Sequence, residues 1–297
     1  MKALVLTGGS GTRLRPFSYS MPKQLIPLAN TPVLVHVLCN IRDLGVTEIG
    51  VVFNDRVADI EAVVGDGSGF GARVTCLRQD APRGLAHTVA VARDFLGNDD
   101  FVMYLGDIML PNGIRAAGEE FAGRHPAAQV LVQRVADPRG FGVVELGPDG
   151  EVVGLLEKPR EPRSDLALCG VYFFTAAVHE AVAAIRPGPR GELEITDAVE
   201  WLLNSGAEVR AHTYDGYWKD TGRVEDVLEC NRHLLDAERR SVAGQVDEAS
   251  ELIGEVVVEP GARIVASGSP GRSSSAPTRW SSTADSVRTP GWAATAW

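Results

Sequence analysis

The chain reads as an α/β protein built on a mostly parallel mixed sheet flanked by helices. Two observations predict this. Short apolar runs alternate with amphipathic stretches through the first half, the rhythm of strands buried on both faces and helices that cover them. The 297 residues are 44% hydrophobic, enough to bury one large core.

In order, Ala3 to Leu6, Ile49 to Phe53, Arg73 to Leu77 and Phe101 to Leu105 are the expected parallel strands. Val33 to Leu44, Arg56 to Val64 and Ala86 to Phe95 are the helices between them. Shorter strands follow at Val130 to Val135, Gly142 to Leu146, Val152 to Leu156 and Leu168 to Phe174, separated by Gly, Pro and Asp turns. Helices near Ala176 to Ala184 and Ile195 to Leu203, a strand around Glu208 to Tyr214 and a helix from Val224 to about Arg239 complete a domain spanning residues 1–240.

Residues 241–265 form a linker and the first turns of a six-residue repeat. Leu252, Val258 and Ile264 carry its apolar side chains, with Gly254, Pro260 and Gly261 between them. Such repeats build left-handed parallel β-helices, which need about three turns to bury a continuous core. Here the repeat stops. Residues 266–297 contain no Leu, Ile or Phe and yet three of the five tryptophans, a composition expected to stay disordered. A one-base shift explains the break: with TCN codons at Ser273, Ser274 and Ser275, the adjacent frame from Pro270 reads Gly-Pro-Val-Val-Ile-Gly, a continuation of the repeat. A frameshift near Ala266 is therefore expected.

The first strand runs into Thr7-Gly8-Gly9-Ser10-Gly11-Thr12-Arg13-Leu14-Arg15-Pro16, followed by Pro22-Lys23-Gln24-Leu25-Ile26-Pro27. Bare glycine backbone lets N–H groups approach an anion closely. Arg13 supplies a planar fork and Lys23 a point charge, together suited to two phosphates of one polyphosphate. A dinucleotide fingerprint needs a further glycine where Leu14 stands, and a Walker loop needs Gly-Lys-Ser/Thr; neither fits. Ligands of parallel sheets lie beyond the carboxyl ends of the strands, so this loop and the Gly106-Asp107 turn should meet.

This string resembles the sugar-phosphate nucleotidyltransferases, and most closely their glucose-1-phosphate thymidylyltransferase branch, from Met1 to about Ile264. The resemblance implies a Rossmann-like nucleotidyltransferase fold and transfer of a thymidylyl group from dTTP to glucose 1-phosphate with Mg²⁺. It implies that Gly8, Gly9, Gly11, Thr12, Arg13 and Gln24 hold the nucleotide. Asp107 and Asp220, the latter in Trp218-Lys219-Asp220-Thr221-Gly222, would hold the metal, whose preference for one or two carboxylates plus phosphate and water oxygens suits Mg²⁺. Ile108 departs from the family pattern, which has Asn there.

Gln79 and Gly84 look like the nucleobase loop: the amide pairs a donor with an acceptor as a pyrimidine edge does, and Gly84 would let the base lie against backbone. His87 reads as a helix-surface residue. Glu157 and Lys158 are implied to bind the sugar hydroxyls and the sugar phosphate, with Gly142 and Gly170 leaving room for the hexose. Adjacent strand residues point to opposite faces, so the pair must sit at a strand end, which Pro159 marks. The implied catalytic set is Arg13, Lys23, Asp107, Lys158 and Asp220. Glu194-Ile195-Thr196-Asp197 lies near the sugar pocket or is simply a helix start. Alternatives are a UTP-dependent or other hexose-1-phosphate enzyme, and a regulatory protein that binds without turnover.

A net charge of -10 excludes broad nucleic-acid or anionic-membrane binding. Cys39, Cys76, Cys169 and Cys230 lack metal or disulfide spacing, as in a reducing compartment. Met1-Lys2 leads straight into a strand and no apolar run is long enough to span a bilayer, so a cytoplasmic location is expected. A homo-oligomer stays open as an alternative to a monomer.

Overall fold

The computed structural model describes residues 1–265 except 10, 55, 149, 238 and 255, and beyond them the backbone of the short strands Gly268–Pro270, Arg288–Thr289 and Trp292–Ala293. Most of the tail expected to be disordered lies outside the described residues, as does the expected frameshift point at Ala266. Two compact units divide the chain, Met1–Val227 and Leu228–Trp297.

The first unit contains a nine-stranded mixed sheet. Strands β1 (Lys2–Leu6), β2 (Glu48–Phe53), β3 (Arg73–Arg78) and β4 (Phe101–Leu105) run parallel in the order β3-β2-β1-β4. The sheet is extended by β5 (Ala128–Arg134), β6 (Gly142–Leu146), β7 (Val152–Glu157), β8 (Leu166–Phe174) and β9 (Val209–Thr213). All nine residues of β8 are buried, because it pairs antiparallel with β4, β5 and β6. Its register with β5 shifts between Leu168 and Tyr172, where Gly170 adopts φ 81°.

Burial follows the expected periodicities. Leu4 and Leu6 of β1 share a core with Ala86, Val89, Val178, Val199 and Leu202 from the helices Leu85–Val91, Val178–Ala184 and Ile195–Asn204. Helix Val33–Asp43 buries Val33, Leu34, Val37, Leu38 and Ile41, the one-sided spacing of a helix on a sheet. Each such side chain stabilises the fold by about 1.5–3 kcal/mol on full burial. Two expectations differ in detail. The stretch read as one helix from Ala86 to Phe95 breaks at Ala92 into Leu85–Val91 and Arg93–Leu96. A helix not anticipated, Arg115–Arg124, carries Gly118 and Gly123 and an apolar stripe too narrow to stand out in sequence.

Ladder-like hydrogen bonds continue past the strand ends: Thr7 N–H donates to Val52 O, Gln79 N–H to Phe53 O and Gly106 N–H to Leu6 O, each at 2.8 Å. These bonds bring the glycine loop, the Gln79 loop and the Asp107 turn to one carboxyl edge of the sheet, where open α/β sheets take ligands.

In the second unit, Ser241–Val242, Gln245–Val246 and Glu251–Ile253 pair in parallel with strands 16 to 18 residues further along. Among the described residues no helix is long and apolar enough to cross a membrane.

Candidate active site

The glycine loop is shaped around Lys23. Gly9 takes φ 108°, and a Cβ there would lie 3.2 Å from Lys23 Cε, so the missing side chain is the channel through which the lysine crosses. Gly11, at φ 58°, opens the 3-10 turn Thr12–Leu14; Ser18 Oγ donates to its carbonyl at 2.7 Å. Buried Gln24 closes the loop from below, its Nε2 donating to Gly8 O at 3.0 Å. A Cβ on Gly8 would meet Asn54 Oδ1 at 3.3 Å, placing that amide at the end of β2 beside the loop.

Lys23 Nζ ends in an ion pair with Asp107 Oδ2. Ile108–Met109 pairs antiparallel with Lys219–Asp220, Ile108 opposite Asp220. This two-residue ladder brings together the two carboxylates expected to share a metal. Thr221 donates its N–H at 3.0 Å and its hydroxyl at 2.8 Å to the Asp107 carbonyl, clamping the same junction. Gly222 is packed closely on the other side. A Cβ there would lie 2.9 Å from Asp220 Oδ1 and 3.1 Å from Arg13 Nη2.

Burial penalises the Lys23 ammonium, yet the charge and hydrogen bond of Asp107 and the charge of Asp220 outweigh it and hold its pKa above the ordinary lysine value. Burial first, and then the Asp107 charge, raise the Asp220 carboxyl despite Lys23 and Arg13. Among the described residues Asp220 Oδ1 is buried with no hydrogen-bond partner. An orphaned carboxylate oxygen beside a second carboxylate fits a divalent ion. Among the described residues no cluster of three or more His, Cys, Asp or Glu forms, so such an ion would take two protein carboxylates.

At the loop expected to meet the nucleobase, buried Gln79 donates from Nε2 to Gly84 O at 3.3 Å and lies 2.9 Å from His87 Nδ1. Gly84, at φ 103°, abuts the backbone of Leu193, whose nitrogen would be 2.6 Å from a Cβ. Packing against Leu193 demands a glycine here before any ligand is considered.

On the side expected to take the sugar, β7 ends at Glu157 and Lys158 turns to φ 44°, its N–H donating to Phe141 O at 3.0 Å. That left-handed residue lets neighbours that would diverge in a strand converge, with Lys158 Nζ 3.1 Å from Glu157 Oε1. Gly142 lies 3.3 Å, by its would-be Cβ, from Glu157 Oε2. Gly170 meets Ile108 Cγ1 at 2.8 Å in the same sense, which ties the sugar side to the residue after Asp107. Trp218 Nε1 donates to Cys169 O at 3.1 Å and its ring packs edge-on to Phe141 at 5.1 Å.

Arg190 was absent from the sequence reading. Its guanidinium bridges Glu157 Oε1 at 2.9 Å and Glu194 Oε1 at 2.7 Å, and Thr196 Oγ1 reaches Glu157 Oε2 at 3.4 Å. Glu194 is thereby tied to Glu157 through Arg190, and its pKa is raised by burial against the pull of Arg190. No spacing rule locates Arg190, because a loop carries it to Glu157. A pocket of about 500 Å³ between Asn112–Ala117 and His212–Gly216 contains none of the expected site residues.

A glycine loop, two cations and two carboxylates are thus brought together at the carboxyl edge of the parallel strands. Residues 2–237 match the nucleotidyl transferase family model, and the chain belongs to that family. It is 53% identical over 264 residues to a glucose-1-phosphate thymidylyltransferase of Streptomyces griseus, covering 89% of this chain and 74% of the relative. It is 42% identical to a low-salt glycan biosynthesis nucleotidyltransferase of Haloferax volcanii, covering 86% and 72% of the two chains. A Bacillus anthracis structure assigned to the glucose-1-phosphate thymidylyltransferases and solved with sucrose superposes with a TM-score of 0.75 at 32% identity, over 81% of this chain and 98% of that one.

Proposed function

We infer that this chain transfers the thymidylyl group of dTTP to α-D-glucose 1-phosphate, forming dTDP-glucose and pyrophosphate, the first step toward dTDP-deoxysugars. The 53% identity to thymidylyltransferases supports the substrates. The observation that carries the chemistry is the ion pair of Lys23 with Asp107, with Asp220 and Arg13 both packed against Gly222 beside it.

A phosphate oxygen of the sugar phosphate attacks the α-phosphorus of dTTP in line, the new P–O bond forming as the bond to pyrophosphate breaks. The attacking group is already anionic near neutral pH, so no protein nucleophile or base is needed and catalysis is alignment and charge stabilisation. In this reading Arg13 holds the departing pyrophosphate, with Gly8, Gly9, Gly11 and Thr12 offering the loop backbone. Lys23 meets charge at the reacting phosphoryl group. Lys158 orients the sugar phosphate and Glu157 binds hexose hydroxyls, while Gly142 and Gly170, instead of leaving the hexose room, admit the side chains of Leu168 and Ile108. Arg190, which shares Glu157 with Lys158, adds a second cation to that pocket.

Asp107 and Asp220 would hold Mg²⁺, which suits hard oxygen ligands and keeps positions for phosphate and water. When bound, the ion neutralises polyphosphate charge. Gln79 and Gln24 face the nucleoside.

Pyrophosphate release by the full chain, with Mg²⁺ and glucose 1-phosphate and with dTTP or UTP in parallel, tests the reading. Release with dTTP that needs both sugar phosphate and metal is expected. A folded sample silent with every nucleotide overturns it.

A further inference from the structure

We propose that His87 is a positioning residue for Gln79: it fixes which end of the Gln79 carboxamide meets the base, and so selects nucleotides whose pyrimidine carries an N3–H. The proposal rests on the reading of Gln79 as the base contact.

Two neighbours determine the orientation of that amide. Gly84 O, 3.3 Å away, is a carbonyl and can only accept, so the Gln79 atom facing it is the NH₂ nitrogen. The same nitrogen lies 2.9 Å from His87 Nδ1. An amide nitrogen offers no lone pair, so Nδ1 must be the unprotonated, accepting nitrogen and the ring proton sits on Nε2. With both N–H groups of Nε2 engaged inside the protein, the group that Gln79 keeps for a ligand is its oxygen. That oxygen matches the N3–H of thymine or uracil and mismatches cytosine, whose N3 is an acceptor.

His87 carries the larger share of this restraint, because 3.3 Å is long for an N–H···O bond and 2.9 Å is not. Its own position is well anchored. Ala86 N–H donates to Leu193 O at 3.0 Å, Leu193 N–H donates to Arg83 O at 2.8 Å, and Thr88 Oγ1 donates to Leu85 O at 2.6 Å. Helix Leu85–Val91 therefore starts at a defined point, with Ala86, Thr88 and Val89 buried around the half-buried imidazole. Removing the acceptor frees the carboxamide to turn over and present NH₂ to the base.

The test compares H87F, H87N and Q79A in steady-state kinetics with dTTP, dCTP and glucose 1-phosphate. Phenylalanine keeps a ring without an acceptor; asparagine returns an acceptor near the place of Nδ1. H87F is expected to raise KM for dTTP about fivefold or more, the scale of one net hydrogen bond. The same variant should lower the preference for dTTP over dCTP and leave KM for glucose 1-phosphate within about twofold. H87N should restore both the affinity and the preference. H87A replaces H87F if thermal melting shows that the larger ring does not fit. A Q79A variant with unchanged KM for dTTP overturns the base reading and the proposal with it. A Q79A variant impaired for dTTP beside an unaffected H87F overturns the proposal alone. So does an H87F defect shared equally by both substrates, or one that H87N fails to repair.

Discussion

Thr221 donates twice to one oxygen, the carbonyl of Asp107, from its N–H at 3.0 Å and its hydroxyl at 2.8 Å. Both residues are buried, and the ladder between Ile108 and Asp220 lies between them. The backbones that carry the two carboxylates are therefore held together at this junction. T221V keeps the shape and the N–H bond but loses the hydroxyl. A loss of about 1 kcal/mol in stability is expected, together with a lower kcat as Asp107 loosens. Denaturant melts and single-turnover rates check the two effects separately.

K23A should lower turnover by orders of magnitude while the circular dichroism spectrum stays native. The lysine is the cation between the glycine loop and both carboxylates, and a charge-stabilised phosphoryl transfer depends on it. A near-normal kcat in the folded variant would refute its role.

Asp220 has a folded-state pKa above its unfolded value, through burial and the Asp107 charge. The native state then binds more protons than the unfolded chain between the two values, so the contribution of Asp220 to stability falls as pH rises through that window. D220N removes this component. With a chelator present, the drop in Tm between acidic and neutral pH should be smaller in D220N than in the parent. Added Mg²⁺ should raise the Tm of the parent near neutral pH and raise that of D220N less. An identical pH dependence in both proteins would be the contrary result.

G170A combines a left-handed φ of 81° with a Cβ only 2.8 Å from Ile108 Cγ1 and 3.0 Å from Leu105 Cδ1. A destabilisation of about 1–3 kcal/mol is expected, with KM for glucose 1-phosphate raised more than KM for dTTP. G45A is the control. Gly45 has φ 78°, and among the described residues nothing lies within 4 Å of a Cβ added there, so it pays the backbone strain without the collision. Equal losses in the two variants would show that φ alone, and not the crowding at Ile108, makes Gly170 necessary.

Features that depend on short stretches of chain were readable in one dimension. The parallel strands announce themselves as apolar runs, because burial on both faces leaves no polar alternation. The glycine loop with Arg13 and Lys23 is compact enough to be a motif, and Gly106-Asp107 ends a strand by its own composition. The Glu157-Lys158-Pro159 run carried its own warning that the strand ends there, and φ 44° at Lys158 is how it ends.

Tertiary structure alone decided what meets what. Arg190 reaches Glu157 only because its loop folds across the sheet, and Gly84 owes its glycine to the backbone of Leu193, far along the chain. His87 carries no sequence signal for its bond to Gln79, since the bond joins a helix to a strand end. The physical reason is common to all three. Periodicity and local sterics are properties of consecutive residues, whereas ion pairs, amide orientation and close backbone approach arise between segments that only the closed sheet brings within a few ångströms.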